Sequence, residues 1–188
     1  MGDCVNTLSR PDCSSIDSYA LFTDVSLDTG HKCGIGAYLF IPVSFLREKN
    51  HSISREDIAV RLKIRRFENT SSTRLEVQTV LWALDEIERK VPKHSPMTLH
   101  IYTDSQCVAG LQGRRSRLSS CNFLSKKTGQ PLKNADLYRT FYELNDKMGF
   151  SVTKVSGHTP ASARDTIHHI FACVDQEARK ALKSWDRK

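Results

Sequence analysis

Tyr19-Ala20-Leu21-Phe22-Thr23-Asp24-Val25 is a run of apolar, aromatic and β-branched residues broken by an aspartate. Further along, Thr98-Leu99-His100-Ile101-Tyr102-Thr103-Asp104 repeats that ending, aromatic then Thr then Asp. Both read as strands. If the two strands are parallel neighbours, Asp24 and Asp104 leave the same edge on the same face, because side chains alternate in direction along a strand. The carboxyl ends of adjacent strands are where α/β sheets place their chemistry.

Working outward, Gly30, Gly34 and Gly36 punctuate a turn before a second strand over residues 36–41, which makes a hairpin. Residues 42–57 form a mostly polar, irregular excursion. Residues 58–67 then alternate, with Val60, Leu62 and Ile64 against Arg61, Lys63 and Arg65, and this predicts a third strand with one wet face. From Thr73 the period becomes helical, and Val77, Val80, Leu81, Leu84 and Ile87 form a stripe that ends before Pro92. After the strand at 98–103 come a short helix from Ser105, a polar and basic stretch over 113–133, and a helix over 134–148. A strand over 150–155 and a helix over 166–185, striped by Ile167, Phe171, Val174, Ala178 and Leu182, close the chain. The order βββαβααβα predicts an α/β fold: a mixed five-stranded sheet, three antiparallel strands and then parallel ones, flanked by helices. Residues 1–18 read as a flexible polar tail and 19–188 as a single domain.

The 188 residues are 39% hydrophobic, enough for one sizeable core, and carry a formal charge of +7, which favours a polyanionic partner. Six cysteines are scattered without a CxxC pair or zinc-finger histidine spacing, as in a reduced, cytoplasmic chain with free thiols. The first eighteen residues lack the apolar core of a secretory signal. No run approaches the roughly 18 apolar residues of a membrane span, so no membrane association is expected. Nothing in the sequence calls for an obligate protein partner, and a monomer is expected.

Two further carboxylates accompany the strand-end pair. Glu76 sits in the first turn of the helix from Thr73, in line with Val80, Ala83 and Ile87, so it points toward the sheet. Asp175 interrupts the last helix beside its apolar stripe. Each has a plainer reading. Asp24 and Asp104 could start turns, Glu76 could close a capping box with Thr73, and Asp175 could pair with Arg179 at i+4. What favours chemistry is that all four agree.

The chain resembles ribonuclease HI, with an RNase H-like fold. The resemblance rests on TDVS at 23–26, TRLEVQTVLWAL at 73–84, YTDSQCV at 102–108, PLKNADLYRTF at 131–141, KVSGHT at 154–159 and VDQEARKAL at 174–182, in the family's order. It implies a four-carboxylate metal site made of Asp24, Glu76, Asp104 and Asp175, holding two Mg2+ ions, with Mn2+ able to substitute. Magnesium prefers hard oxygen ligands and is commonly shared with substrate phosphate, and four carboxylates roughly neutralise two dications. The implied activity is endonucleolytic hydrolysis of the RNA strand of an RNA–DNA hybrid, leaving 3′-OH and 5′-phosphate ends. His158 matches the family histidine that assists proton transfer or product departure. Gln106 and Ser72 are the implied minor-groove contacts, Arg74 and Asn134 the implied holders of substrate near its phosphates, and Asn134 also suits a helix N-cap. Arg114 and Arg115 open a basic region, with Arg117, Lys126, Lys127 and Lys133, where many family members grip the DNA strand.

Three departures from the family pattern stand out. Val25 replaces the Gly that usually follows the first Asp, residues 42–57 exceed a plain hairpin connection, and the chain between His158 and Asp175 is long. Asp165 and Glu177 therefore compete with Asp175 for the fourth place. The spacing of Asp175, Ala178 and Arg179 favours Asp175, and Asp165 suits an N-cap before Thr166. His168 and His169 read as surface residues. The rival functions are a catalytically inactive nucleic-acid-binding module and a DNA-directed nuclease of the same fold.

Overall fold

The computed structural model describes residues 17–47, 54–91, 97–156 and 165–185. Five strands, β1 (Asp17–Asp28), β2 (Cys33–Pro42), β3 (Lys63–Phe67), β4 (Met97–Thr103) and β5 (Ser151–Lys154), lie in the order β3-β2-β1-β4-β5. β1–β2 and β2–β3 are antiparallel, while β1–β4 and β4–β5 are parallel. The helices are α1 (Ser44–Arg47), α2 (Arg55–Arg61), α3 (Ser72–Lys90), α4 (Gln106–Ala109), α5 (Leu111–Ser120), α6 (Ala135–Met148) and α7 (Thr166–Trp185). This is the mixed, helix-flanked sheet expected from the sequence. Among the described residues no helix is long and apolar enough to cross a membrane.

Several boundaries differ from expectation: β2 begins at Cys33 rather than at residue 36, α1 lies within the expected irregular excursion, and α5 takes up the start of the expected polar stretch over 113–133. Asp17 and Ser18 already belong to β1, and the rest of the presumed tail lies outside the described residues. The strand predicted over 58–67 is helical as far as Arg61 and becomes β3 only from Lys63. The helix wins because Ser54 caps it, its Oγ accepting the Asp57 amide at 3.0 Å, with Glu56 and Asp57 in the first turn to suit the helix dipole. Ile58 is buried in the core while Val60 is 85% exposed, so the two do not share the face that the alternation had given them.

The sheet separates two apolar layers. Leu21, Leu99 and Ile101 face α3 and α6, meeting Val80, Leu84 and Phe141. Ala20, Phe22, Ile35 and Leu39 face the other way, where α7 supplies Phe171, Val174 and Ala178. Each fully buried Leu, Ile or Phe contributes about 1.5–3 kcal/mol relative to exposure. Helix α3 lies close against β2 because β2 carries glycine where they meet. A Cβ at Gly34 would stand 2.5 Å from Leu75 Cδ2 and 2.7 Å from the Ser26 carbonyl, and one at Gly36 would collide with Thr79 Oγ1. Glu76 directly follows Leu75, so this approach sets where its carboxylate reaches.

Candidate active site

Asp24 keeps the parity of Ala20 and Phe22 and so belongs to the α7 face of the sheet. The parallel register pairs Phe22 with Tyr102, which makes Asp104 the counterpart of Asp24. Asp24 is 6% exposed, and its Oδ2 is buried with no hydrogen-bond partner among the described residues. Burial, together with the charges of Asp104 and Asp175, pushes its carboxyl up to about 8. Asp104 opens to solvent as a residue, yet desolvation of its carboxyl and the Asp175 charge raise it also, against the cations Lys154 and Arg179. Asp175 accepts a hydrogen bond from Arg179 Nε at 2.6 Å. Three acids, from β1, the end of β4 and α7, thus bring negative charge to one place.

Glu76 comes from α3, on the opposite face, and meets the end of β4 at Ser105. Its Oε2 accepts the Ser105 hydroxyl and its Oε1 accepts Ser72 Oγ–H at 3.3 Å. Ser105 is buried, follows Asp104 directly, and caps α4 by accepting the Val108 amide at 3.2 Å. One hydroxyl therefore ties the β4 end to the α3 carboxylate. The capping box with Thr73 does not form, since α3 begins at Ser72 behind Ser71.

Among the described residues no three His, Cys, Asp or Glu side chains already stand in a metal-coordinating arrangement. The chemistry of the donors nonetheless fits a hard divalent cation. All are carboxylate oxygens, Asp24, Asp104 and Asp175 repel one another, and the orphaned Asp24 Oδ2 is an acceptor that a cation would satisfy. Asp175 forms the i+4 pair with Arg179, and its competitors have partners too; what sets Asp175 apart is that its charge acts on both Asp24 and Asp104. Asp165 Oδ1 accepts the His168 amide at 2.9 Å, the N-cap bond expected of it, and Glu177 pairs with Lys180 at 2.6 Å. His158 lies outside the described residues.

Two clefts flank Glu76. One, of about 640 Å³, is lined by Thr73, Glu76, Gln106, Cys107, Arg114 and Tyr138. The other, of about 580 Å³, includes Lys32, Asn69, Ser71, Ser72, Arg74 and Lys133. The second gathers three cations and a run of hydroxyls and amides at the start of α3, a surface suited to an anion.

The family model for RNase H matches residues 17–182. The chain belongs to the RNase H family. No curated protein matches it. Among solved structures it is similar to a foamy viral protease-reverse transcriptase in complex with dsDNA, with a TM-score of 0.56 and 10% identity over 89% of this chain and 96% of that one. It is also similar to a foamy viral protease-reverse transcriptase in complex with an RNA/DNA hybrid, with TM-score 0.56 and 12% identity over 96% of this chain and 22% of that one. Native Prototype Foamy Virus protease-reverse transcriptase gives a TM-score of 0.59 and 16% identity over 87% of this chain and 20% of that one. This RNase H thus spans about a fifth of the two longer viral chains. At these identities the likeness is one of fold.

The expected substrate residues of this RNase H divide between the clefts. Gln106 lies in the first and Ser72 and Arg74 in the second. Arg74 pairs with Asp136 at 2.9 Å and donates to Asn134 Oδ1 at 3.4 Å; Asn134 is buried and makes no side-chain cap bond to α6. Arg114 donates to the carbonyls of Cys107 and Gly110 at 2.6 and 3.0 Å, and Arg115 holds Asp146 at 2.7 Å over the Tyr142 ring. Both guanidinium groups thus have partners within the chain. Sequence reasoning missed Lys32, Asn69 and Ser71 and assigned Lys133 elsewhere; the Asn69-Thr70-Ser71-Ser72 run before a helix was the available signal.

If Glu76 serves as a metal ligand in the reaction proposed below, Ser105→Ala is expected to lower cleavage about 10-fold and raise the Mg2+ concentration needed for half-maximal rate, the scale of loss seen when a ligand loses its orienting partner. Rates measured across a Mg2+ series check this, with Ser105→Thr retaining most activity.

Proposed function

We propose that this RNase H is a type 1 enzyme that cleaves the RNA strand of RNA–DNA hybrids and leaves 3′-OH and 5′-phosphate ends. The observation that carries the reading is the buried Asp24 carboxylate beside Asp104 and Asp175, its Oδ2 without a partner among the described residues, with Glu76 bonded to Ser105, the residue after Asp104. Asp24, Glu76, Asp104 and Asp175 would hold two divalent ions, Mg2+ or Mn2+. When bound, such a pair supplies activation of the attacking water and stabilisation of the leaving 3′ oxygen.

The protein's own part is to bind and orient. Lys32, Arg74 and Lys133 hold backbone phosphate in the second cleft, which gives affinity without sequence choice. Gln106 and Ser72, on either side of Glu76, contact the minor groove, where the 2′-OH distinguishes RNA from DNA. His158 assists proton transfer or product departure. One similar viral structure contains an RNA/DNA hybrid, which supports the substrate assignment. The four free cysteines of the described residues suit a reducing compartment, and we place the enzyme in the cytoplasm as a monomer.

The test is incubation with labelled RNA–DNA hybrid, RNA duplex and DNA duplex in Mg2+, Mn2+ or EDTA. Cleavage confined to the RNA strand of the hybrid, dependent on metal and leaving 5′-phosphate ends, is expected. Cleavage of the DNA duplex, or cleavage that persists in EDTA, would overturn the reading.

A further inference from the structure

β3 is an edge strand whose Lys63, Arg65 and Arg66 are all exposed. They divide between its faces. Lys63 and Arg65 turn toward α3, where the Arg65 guanidinium lies 5.3 Å from the Phe67 ring centre and 5.9 Å from that of Trp82. Arg66 turns toward α7, 5.7 Å from the Trp185 ring centre, and pairs with Glu68 at 3.4 Å. Among the described residues Lys63 and Arg65 make no ion pair. The acids of α3 nearest this face are already engaged: Glu86 accepts from Tyr38, Trp82 and Lys90, and Asp85 pairs with Arg89.

The placement of these two cations relative to the site is fixed by register. Arg65 pairs with Gly36, which pairs with Val25, the residue after Asp24. Arg65 therefore stands two strands, about 10 Å, from the strand that carries Asp24, on the face of the sheet covered by α3, the helix of Glu76, and opposite to that of Asp24. β3 also runs directly into Asn69, Thr70, Ser71 and Ser72, which line the second cleft, and the Thr70 amide is bonded to the Lys32 carbonyl at 2.9 Å. Two unpaired cations thus continue the cleft's basic lining outward along the same face as α3. The aromatic rings beside Arg65 restrict its guanidinium while the residue stays exposed, which suits it to phosphate.

We propose that Lys63 and Arg65 extend the hybrid-binding surface beyond the second cleft, holding backbone phosphates of a duplex long enough to run along the β3 edge. This rests on the functional reading above and adds a length of substrate to it. The same charges also discourage strand pairing at the edge, and both roles follow from one arrangement.

Fluorescence anisotropy in an Asp104→Asn background, with labelled hybrids of about 8 and about 24 base pairs over a KCl series, tests it. The affinity gain from short to long hybrid is expected to fall at least five-fold in Lys63→Gln/Arg65→Gln, and the slope of log affinity against log salt on the long hybrid to drop by about 2. Lys63→Ala/Arg65→Ala, with a thermal melt for each variant, guards against a folding artefact. An unchanged gain and slope, or equal weakening on both lengths, would overturn the proposal. So would a dimer in sedimentation that the substitutions dissociate, because that edge would then serve a second copy. Absence of binding to either hybrid overturns the functional reading and this proposal with it, whereas length-independent binding overturns only the latter.

Discussion

Asp24→Asn is expected to lower hybrid cleavage by at least about 10³-fold, on the order of 4 kcal/mol of lost transition-state stabilisation, while making the metal-free protein more stable. The two effects have one origin. Asp24 is the most buried of the four acids, its Oδ2 has no partner among the described residues, and its carboxyl sits at about 8 in the folded chain, well above the usual carboxylate range. Because the folded chain holds this proton more tightly than the unfolded one, stability is unaffected below the unfolded value, falls as pH rises above it, and levels off once pH passes the folded value. The metal-free wild type should therefore weaken between about pH 4 and pH 8. The amide carries no charge and escapes that loss. Because Asp104 and Asp175 share the strain, the gain at pH 8.5 is on the order of 1–3 kcal/mol and close to nothing at pH 4. Melting curves in EDTA at several pH values check the stability arm. Added Mg2+ should then raise the melting temperature of the wild type far more than that of the variant. A variant that melts lower than wild type at pH 8.5 without metal would mean that Asp24 serves folding rather than cation binding.

The strands that carry Asp24 and Asp104 were legible in the sequence because their apolar runs are long and end alike. Their convergence with Asp175 was legible for a related reason: the stripe of α7 leaves Asp175 next to Val174 and Ala178, which are buried against the same face of the sheet. What holds Glu76 was not legible. A T-x-x-E pattern favoured Thr73 as its partner, whereas the structure uses Ser105, which is close only after β4 and α3 have packed. The α2 segment was misread because Ile58, Val60, Leu62 and Ile64 alternate over a boundary between helix and strand. Period alone cannot separate two short elements of different type, although Ser54 and Asp57 mark the helix start. The second cleft was hidden for a different reason. Lys32, Asn69 and Lys133 come from the β1–β2 turn, the loop after β3 and the approach to α6, and no local pattern links them.

Gly36→Val is expected to destabilise the protein by about 3 kcal/mol or more, and Gly36→Ala by about 1–3 kcal/mol, the range of an overpacked core. An added Cβ would meet Thr79 Oγ1 and Cγ2 and would stand 3.0 Å from Phe67 Cε2. Thr79 cannot simply turn aside. It is fully buried, and its hydroxyl donates to the Leu75 carbonyl at 2.9 Å. The strain therefore passes into the backbone of α3, whose first turns would have to move away from β2. Glu76 lies within the span from Leu75 to Thr79, so the same movement would draw its carboxylate from Ser105. Two readouts follow for Gly36→Ala: a lower denaturation midpoint, and a cleavage rate reduced even at temperatures where the variant is fully folded. Thr79→Ala removes the obstructing atoms, at the loss of a hydroxyl whose own partner is a helical carbonyl. Combined with Gly36→Ala it should recover at least about 1 kcal/mol relative to the sum of the single changes, a coupling characteristic of residues in direct contact. Additive energies in that cycle would show that the glycine is tolerated rather than required, and that something other than the β2–α3 approach sets the position of Glu76.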